Sequence, residues 1–261
     1  MDKYALFFDI DGTLVSFRTH RIPDSAVGAL EQAKVRGHRI YIATGRPMAI
    51  VNNLGQIEHL IDGYITTNGA YSFVGDETVN INPIKKADAE RLLDDALRND
   101  YAVVVSGLKT FGVWNPKDIV RRLFVDELAV DAATMSRRPD MEIEENVLEL
   151  TPFINAQDEA RLMNELPNCQ SARWHPAFCD ITSRQADKGK ALPVMAVHEG
   201  FDLRHTMAFG DGGNDISIIR NAGIGVAMGN GLDTLKEVAD FVTTSVDDDG
   251  LRNALEHYRL I

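Results

Sequence analysis

Twice along this chain, short apolar or β-branched runs alternate with segments of helical spacing, and that alternation restricts the fold more than any other feature. Near the start the order is Tyr4 to Asp9, a helix after Pro23-Asp24, His38 to Thr44, a helix after Pro47, then Tyr64 to Thr67. This reads as βαβαβ, which calls for a parallel sheet with right-handed crossovers and helices on both faces. The first helix is well marked. Asp24 or Ser25 stands where a cap belongs, Ala26, Val27, Leu30 and Ala33 recur at helical spacing, and Gly37 can end it.

The alternation returns later, with strands at Thr206 to Gly210, Ile224 to Ala227 and Phe241 to Thr244. Helices are expected at Asn214 to Asn221, Leu232 to Ala239 and Leu251 to Tyr258. The stretch between, roughly Pro83 to Arg184, differs in character. There a charged helix (Ala87 to Arg98) precedes strand-like Tyr101 to Ser106, Phe111 to Trp114 and Val147 to Leu150, with helix-like Pro116 to Leu128 and Asp158 to Asn164 beside them. The expected fold is a Rossmann-like, doubly wound α/β core formed by 1–82 and 185–261, with a second α/β domain, 83–184, inserted into it. At about 150 residues per domain, 261 residues suffice for two.

Composition narrows the function classes. A hydrophobic share of 44% and a charged share of 25% are those of an ordinary globule, so disorder and fibrous repeats are excluded. The formal charge of −12 disfavours diffuse attraction to nucleic acid or to an anionic membrane. The first apolar stretch is too short for a signal segment, and no run of about 18 apolar residues can span a bilayer, so a cytoplasmic location is expected. Cys169 and Cys179 lack the grouping of a zinc site and read as buried, reduced thiols.

Four motifs then fall at strand ends, where open α/β sheets gather their ligands. In Asp9-Ile10-Asp11-Gly12-Thr13 a strand delivers two carboxylates into a turn. Two such charges about 4 Å apart repel by about 4 kcal/mol at an effective dielectric near 20, so the pair calls for a cation or a shared proton. Thr44-Gly45-Arg46-Pro47 follows the second strand and offers a hydroxyl and helix-start N–H groups to a phosphate oxygen. Asp187-Lys188-Gly189-Lys190 opens the helix that runs through His198 and supplies a positive point charge. Gly210-Asp211-Gly212-Gly213-Asn214-Asp215 places two acids four apart across a glycine turn. Taken singly, each has a plain structural explanation: an Asp-Gly turn, a helix N-cap, a solvated lysine, a loop. Four in order at strand ends do not.

In this order the motifs resemble the haloacid dehalogenase superfamily, specifically its Cof-like phosphatases. The matching stretches are Phe7 to Val15, Ile42 to Pro47, Lys188 to Leu192 and Gly210 to Ile216, and the nearest likeness is to bacterial hexose-phosphate phosphatases. The resemblance implies that Asp9 is the nucleophile and that Asp11 is the general acid and then base. It implies Thr44 and Lys188 as phosphoryl-binding catalytic groups, with Gly45, Arg46 and Asn214 also on the substrate. The implied cofactor is Mg²⁺, held by Asp9, Asp11 through its backbone carbonyl, Asp211 and Asp215, with Asp215 orienting the metal's surroundings or Lys188. The inserted domain corresponds to a cap that sets substrate specificity, with Arg46, Asn68, Gly69, Trp174, His175 and Phe178 as candidate leaving-group contacts.

The expected activity is Mg²⁺-dependent hydrolysis of a small phosphate monoester, a sugar or hexose phosphate, through an aspartyl phosphate. The expected partner is that small molecule, with no nucleic acid, membrane or obligate protein partner. Two alternatives use the same motifs: a phosphosugar mutase, and a non-catalytic module that binds a phosphorylated ligand.

Overall fold

A computed structural model describes residues 2–108, 111–127, 130–135 and 146–261. The chain divides into two compact units: Met1–Arg46, Val51–Ile81 and Asp187–Ile261 form the first, Pro47–Ile50 and Asn82–Ala186 the second. The first unit begins β1 (Ala5–Phe8), α1 (Asp24–Val35), β2 (Arg39–Ala43), β3 (Gly63–Thr66), β4 (Tyr71–Val74), β5 (Glu77–Ile81). The second supplies α2 (Lys86–Arg98), β6 (Val103–Gly107), β7 (Phe111–Trp114), α3 (Asp118–Val120), α4 (Ala132–Met135), β8 (Val147–Pro152), α5 (Ala156–Met163), β9 (Cys169–His175) and β10 (Phe178–Ser183). The first unit resumes with α6 (Lys188–His198), β11 (Thr206–Gly210), α7 (Ile216–Asn221), β12 (Ile224–Ala227), α8 (Asp233–Lys236), β13 (Phe241–Val242) and α9 (Gly250–His257).

The eight strands of the first unit lie in the order β13-β12-β11-β1-β2-β3-β4-β5. Pairing is parallel from β13 through β3 and antiparallel at β4 and β5. Because both faces are covered, β1 is apolar throughout, and its residues alternate between two cores. Leu6 and Phe8 pack with Leu30 of α1 and Leu255 of α9. Ala5 and Phe7 face the other way, toward Leu192 and Met195 of α6 and Ile218 of α7. Register then levels the strand ends: Phe8 stands opposite both Ile42 and Phe209, so Asp9, the residues after Ala43 and Gly210 leave the sheet along one edge.

The second unit is an antiparallel sheet in the order β7-β6-β8-β10-β9. One face buries Val103, Val105, Leu150 and Ile181 against Leu92 and Leu93 of α2 and Leu162 of α5. The other face packs Val104, Phe111, Phe153 and Phe178 against Leu123 and Phe124. Cys169 and Cys179 are free and buried, and burial pushes both thiols up to about 12. Among the described residues no helix is long and apolar enough to cross a membrane.

Several elements differ from expectation. After Pro47 there is no α-helix; two three-residue 3₁₀ turns, Met48–Ile50 and Glu58–Leu60, cover that crossover, which Asn52, Asn53 and Gly55 keep from regular helix. Helix α1 takes Pro23 at its N-cap, with no side-chain cap from Asp24 or Ser25. The helix expected over Pro116 to Leu128 forms as α3 followed by π-helical turns at Arg121–Glu127, and Leu128 lies outside the described residues. The hairpins β4–β5 and β9–β10 were not anticipated. The first turns at Gly75, whose φ of 54° suits a tight hairpin, a signal present in Val74-Gly75-Asp76.

Candidate active site

Two loops leaving the carboxyl edge of the first unit's sheet, after β1 and β11, bring the expected acids together. Asp9 follows β1, and its N–H donates to Phe209 O at 3.1 Å, which ties the two central strand ends to each other. The chain then turns at Gly12, whose φ of 83° is left-handed. A Cβ at Gly12 would run into the Asp211 carboxylate, so glycine is required here both by backbone and by space. Thr13 Oγ1 donates to Asp211 Oδ1 at 3.3 Å, joining the first motif to the last across 198 residues.

Lys188, the first residue of α6, is 1% exposed, and Asp187 caps that helix by accepting from Lys190 N at 2.9 Å. Its Nζ donates to Asp9 Oδ1 and to Asp215 Oδ1, each at 2.7 Å. Asp215 Oδ2 accepts from the N–H groups of Asp211 and Gly212 at 3.1 and 3.0 Å, so this carboxylate braces the glycine turn that carries Asp211. Gly210 has no room for a Cβ, which would meet the Asp215 side chain.

Asp9, Asp211 and Asp215 can each point one carboxylate oxygen to within 4.8 Å of the others. Burial pushes Asp9 up to about 8, with Asp215 and Asp211 adding to the rise and Lys188 opposing it. Asp211 is pushed up to about 6 by burial and then by Asp215. Burial alone would lower Lys188, yet the two carboxylates more than offset it and hold the ammonium above its ordinary range. Three carboxylates against one ammonium leave two negative charges, and every donor is a hard oxygen. The residues present therefore fit a divalent cation of the oxygen-seeking kind.

The other expected residues take more varied positions. Thr44 is buried after β2, with its N–H on Ile65 O at 2.8 Å and its Oγ1 accepting from Arg46 N at 3.1 Å. Gly45 lies close to Asn68 and Asn214, and Asn214 Nδ2 donates to Asn68 Oδ1 at 3.0 Å, so the second and fourth motifs share this end of the site. Asp11's carboxylate stands outside the three-acid cluster. It accepts from Arg46 Nε at 2.7 Å and from Arg46 Nη2 at 2.8 Å, a forked pair that joins the first motif to the second. In the second unit Trp174 is half-exposed and donates from Nε1 to Asp180 Oδ2 at 2.7 Å. His175 Nδ1 accepts from Ala177 N at 3.1 Å, and Phe178 is a buried member of an apolar cluster.

Asn230 was missed. Its Nδ2 donates to Gly12 O and its Oδ1 accepts from Val246 N, both at 2.8 Å, while Leu232 N donates to Asp211 O at 2.9 Å. The signal was available, because Gly229-Asn230-Gly231 follows β12 as a further loop on the same edge.

A model of haloacid dehalogenase-like hydrolases matches residues 6–255. The chain is similar to the 5-amino-6-(5-phospho-D-ribitylamino)uracil phosphatase YcsE of Bacillus subtilis (strain 168), 29% identical over 265 residues that cover all of this chain and 97% of that protein. Among solved structures it resembles the subclass IIB sugar phosphatase BT4131 at 42% identity and a TM-score of 0.89, covering 99% of this chain and all of that one. It also resembles the phosphatase BT1666 from Bacteroides thetaiotaomicron, with 32% identity, a TM-score of 0.86, and coverage of 99% and 96%. Matched over nearly its whole length, with the acids of its first and last motifs gathered at one sheet edge, the chain belongs to the haloacid dehalogenase-like hydrolases and is one of their phosphatases.

Proposed function

We propose that the protein is a Mg²⁺-dependent phosphomonoesterase that hydrolyses small sugar phosphates, hexose phosphates foremost, through an aspartyl phosphate on Asp9. One observation carries this reading: Asp9 ends the central strand within 2.7 Å of a buried lysine and beside two further acids. A carboxylate so placed is a nucleophile whose charge Lys188 favours against burial and the two acids, and which a cation held by the three acids would favour further.

In the first step an Asp9 oxygen bonds to phosphorus and the ester P–O bond breaks, while Asp11 gives its proton to the departing alkoxide. In the second step Asp11 takes a proton from the water that attacks the aspartyl phosphate, which frees inorganic phosphate and restores Asp9. Lys188, the Thr44 hydroxyl and the N–H of Gly45 hold the phosphoryl oxygens where charge develops, and Asn214 adds an amide donor. Mg²⁺, held by Asp9, Asp211, Asp215 and the Asp11 carbonyl, supplies when bound the two positive charges that the acids otherwise lack. Arg46 positions Asp11 rather than the leaving group. Residues 83–184 act as the cap that selects the alcohol being released. Likeness at 42% identity to a protein described as a sugar phosphatase supports the substrate class.

Replacing Asp9 with Asn tests the reading. Phosphate release from glucose 6-phosphate is expected to fall by at least about 10³-fold with an unchanged circular dichroism spectrum. Wild-type release by the Asn variant would exclude Asp9 as the nucleophile.

A further inference from the structure

Within the first unit, the loop after β12 reaches both of the turns that carry the acids. Met228 N donates to Gly210 O and Leu232 N to Asp211 O, each at 2.9 Å, so the ends of this loop lie along the turn after β11. Between them, Asn230 Nδ2 donates to Gly12 O in the turn after β1, while Asn230 Oδ1 accepts from Val246 N. Glycines flank it for want of space. A Cβ at Gly229 would stand 2.7 Å from Thr244 C, and one at Gly231 would stand 3.0 Å from Asp211 Cα, so the loop is wedged between the 243–245 backbone and Asp211.

The choice of asparagine follows from what it holds. One end of the side chain gives a hydrogen bond to a carbonyl and the other takes one from an N–H, which a primary amide does and an ionised carboxylate or an aliphatic side chain does not. Gly12 N donates to Val15 O at 2.9 Å, so the planar peptide before Gly12 is fixed from its N–H side and the Asp11 carbonyl faces the opposite way. Asn230 fixes the next peptide through its oxygen. With both peptides pinned about a residue at φ 83°, the Asp11 carbonyl cannot swing without breaking a hydrogen bond. The Thr13 hydroxyl on Asp211 also links the two turns, but at 3.3 Å and from a group that rotates, so it holds them less firmly.

We infer that Asn230 is a positioning residue of the cation site, holding the Asp11 carbonyl and the Asp211 carboxylate in place before the ion arrives, so that binding need not order the two turns. This rests on the proposed Mg²⁺ reading and extends it to a residue whose own amide is engaged at both ends.

Isothermal titration of the full chain with MgCl₂, in the absence of ester, tests it. Asn230→Ala and Asn230→Leu are each expected to raise the Mg²⁺ dissociation constant by about 10-fold. Thr243→Val is the control, because it removes a buried hydrogen bond to Gly250 O beside the segment that Asn230 grips and touches neither acid-bearing turn; its constant is expected to stay within about 2-fold of wild type. In phosphate release from glucose 6-phosphate, the Asn230 variants are expected to need about 10-fold more Mg²⁺ for half the maximal rate, and to return to within about 3-fold of wild-type kcat once the ion saturates. Where the leucine variant does not fold, judged by its melting curve, the alanine variant carries the comparison. An unchanged dissociation constant in a folded Asn230 variant, an equal rise in Thr243→Val, or a rate that saturating Mg²⁺ does not restore would overturn the inference and leave the Mg²⁺ reading standing. A wild-type chain that takes up no Mg²⁺ would overturn both.

Discussion

Arg46 spans its two bonds to Asp11 with a rigid planar fork, and that geometry, more than its charge, makes it suited to hold the proposed proton donor in one orientation. A lysine would keep the charge and lose the fork. Arg46→Lys is expected to lower kcat on glucose 6-phosphate about 10-fold with KM nearly unchanged, since Thr44 and Lys188, the proposed holders of the phosphoryl group, are untouched. Should the loss appear in KM instead, Arg46 contacts the substrate, as the sequence first suggested. Stability is expected to change little, because both partners are about a third exposed and such a pair contributes under about 1 kcal/mol. Gly12 is the opposite case. Its left-handed φ and the absence of room beside Asp211 make Gly12→Ala costly to the fold, by at least about 2 kcal/mol in urea unfolding, with activity falling as Asp211 is displaced.

At the scale of elements, the second unit has a polar clamp of its own. Asp95 on α2 accepts from Arg161 of α5 through both guanidinium ends, at 3.0 and 2.8 Å, and from Tyr101 Oη at 2.8 Å and Asn99 Nδ2 at 2.9 Å. The Arg161 hydrogen bonds hold Asp95 below the usual carboxylate range, with burial opposing them. The unfolded chain therefore binds this proton at a higher pH than the folded one. The clamp's contribution is full above the ordinary value of 3.8 and is lost as pH falls toward the lower folded value. Asp95→Asn is expected to cost about 2 kcal/mol at neutral pH, less than a fully buried pair because Arg161 is partly exposed, and to flatten the acid side of a urea stability profile.

Which elements could be read in advance follows from the same physics. Strands buried on both faces, such as Ala5–Phe8 and Thr206–Gly210, are unbroken apolar runs bounded by glycine or aspartate, so both they and the loops after them stood out. The region after Pro47 deceived because its apolar residues suggest a helix while its short 3₁₀ turns leave no repeating signal. Cys169–His175 is exposed at alternate positions and mixes Gln, Arg and Trp, so it lacked the look of a strand. In the site, residue types at strand ends could be read in order. The fork from Arg46 to Asp11 and the brace from Asn230 to Gly12 could not, since they depend on where loops fold back in space.

On the scale of the whole molecule, each unit has a core of its own, so the two need not unfold together. A cation bound by Asp9, Asp211 and Asp215 stabilises only the unit that holds them. At a Mg²⁺ concentration about 100 times its dissociation constant the gain is about 2.7 kcal/mol, and calorimetry is expected to show one transition rising by several degrees while the other stays in place. Asp211→Asn is expected to abolish the shift. A shift that survives this substitution would place the ion elsewhere.

The central strand β1 pairs on one side with β2 and on the other with β11, so Ala5 has one neighbour at Arg39 and the other at Thr206. On a ribosome adding roughly 5–20 residues per second, about 8–33 s pass between those two partners. Throughout that interval the nascent polypeptide carries Asp9 at the end of a strand whose second edge is bare, without Asp211 and for most of it without Lys188. A product of premature termination is therefore inert toward esters and sticky toward other strands, which makes it a ready client for chaperones and proteases.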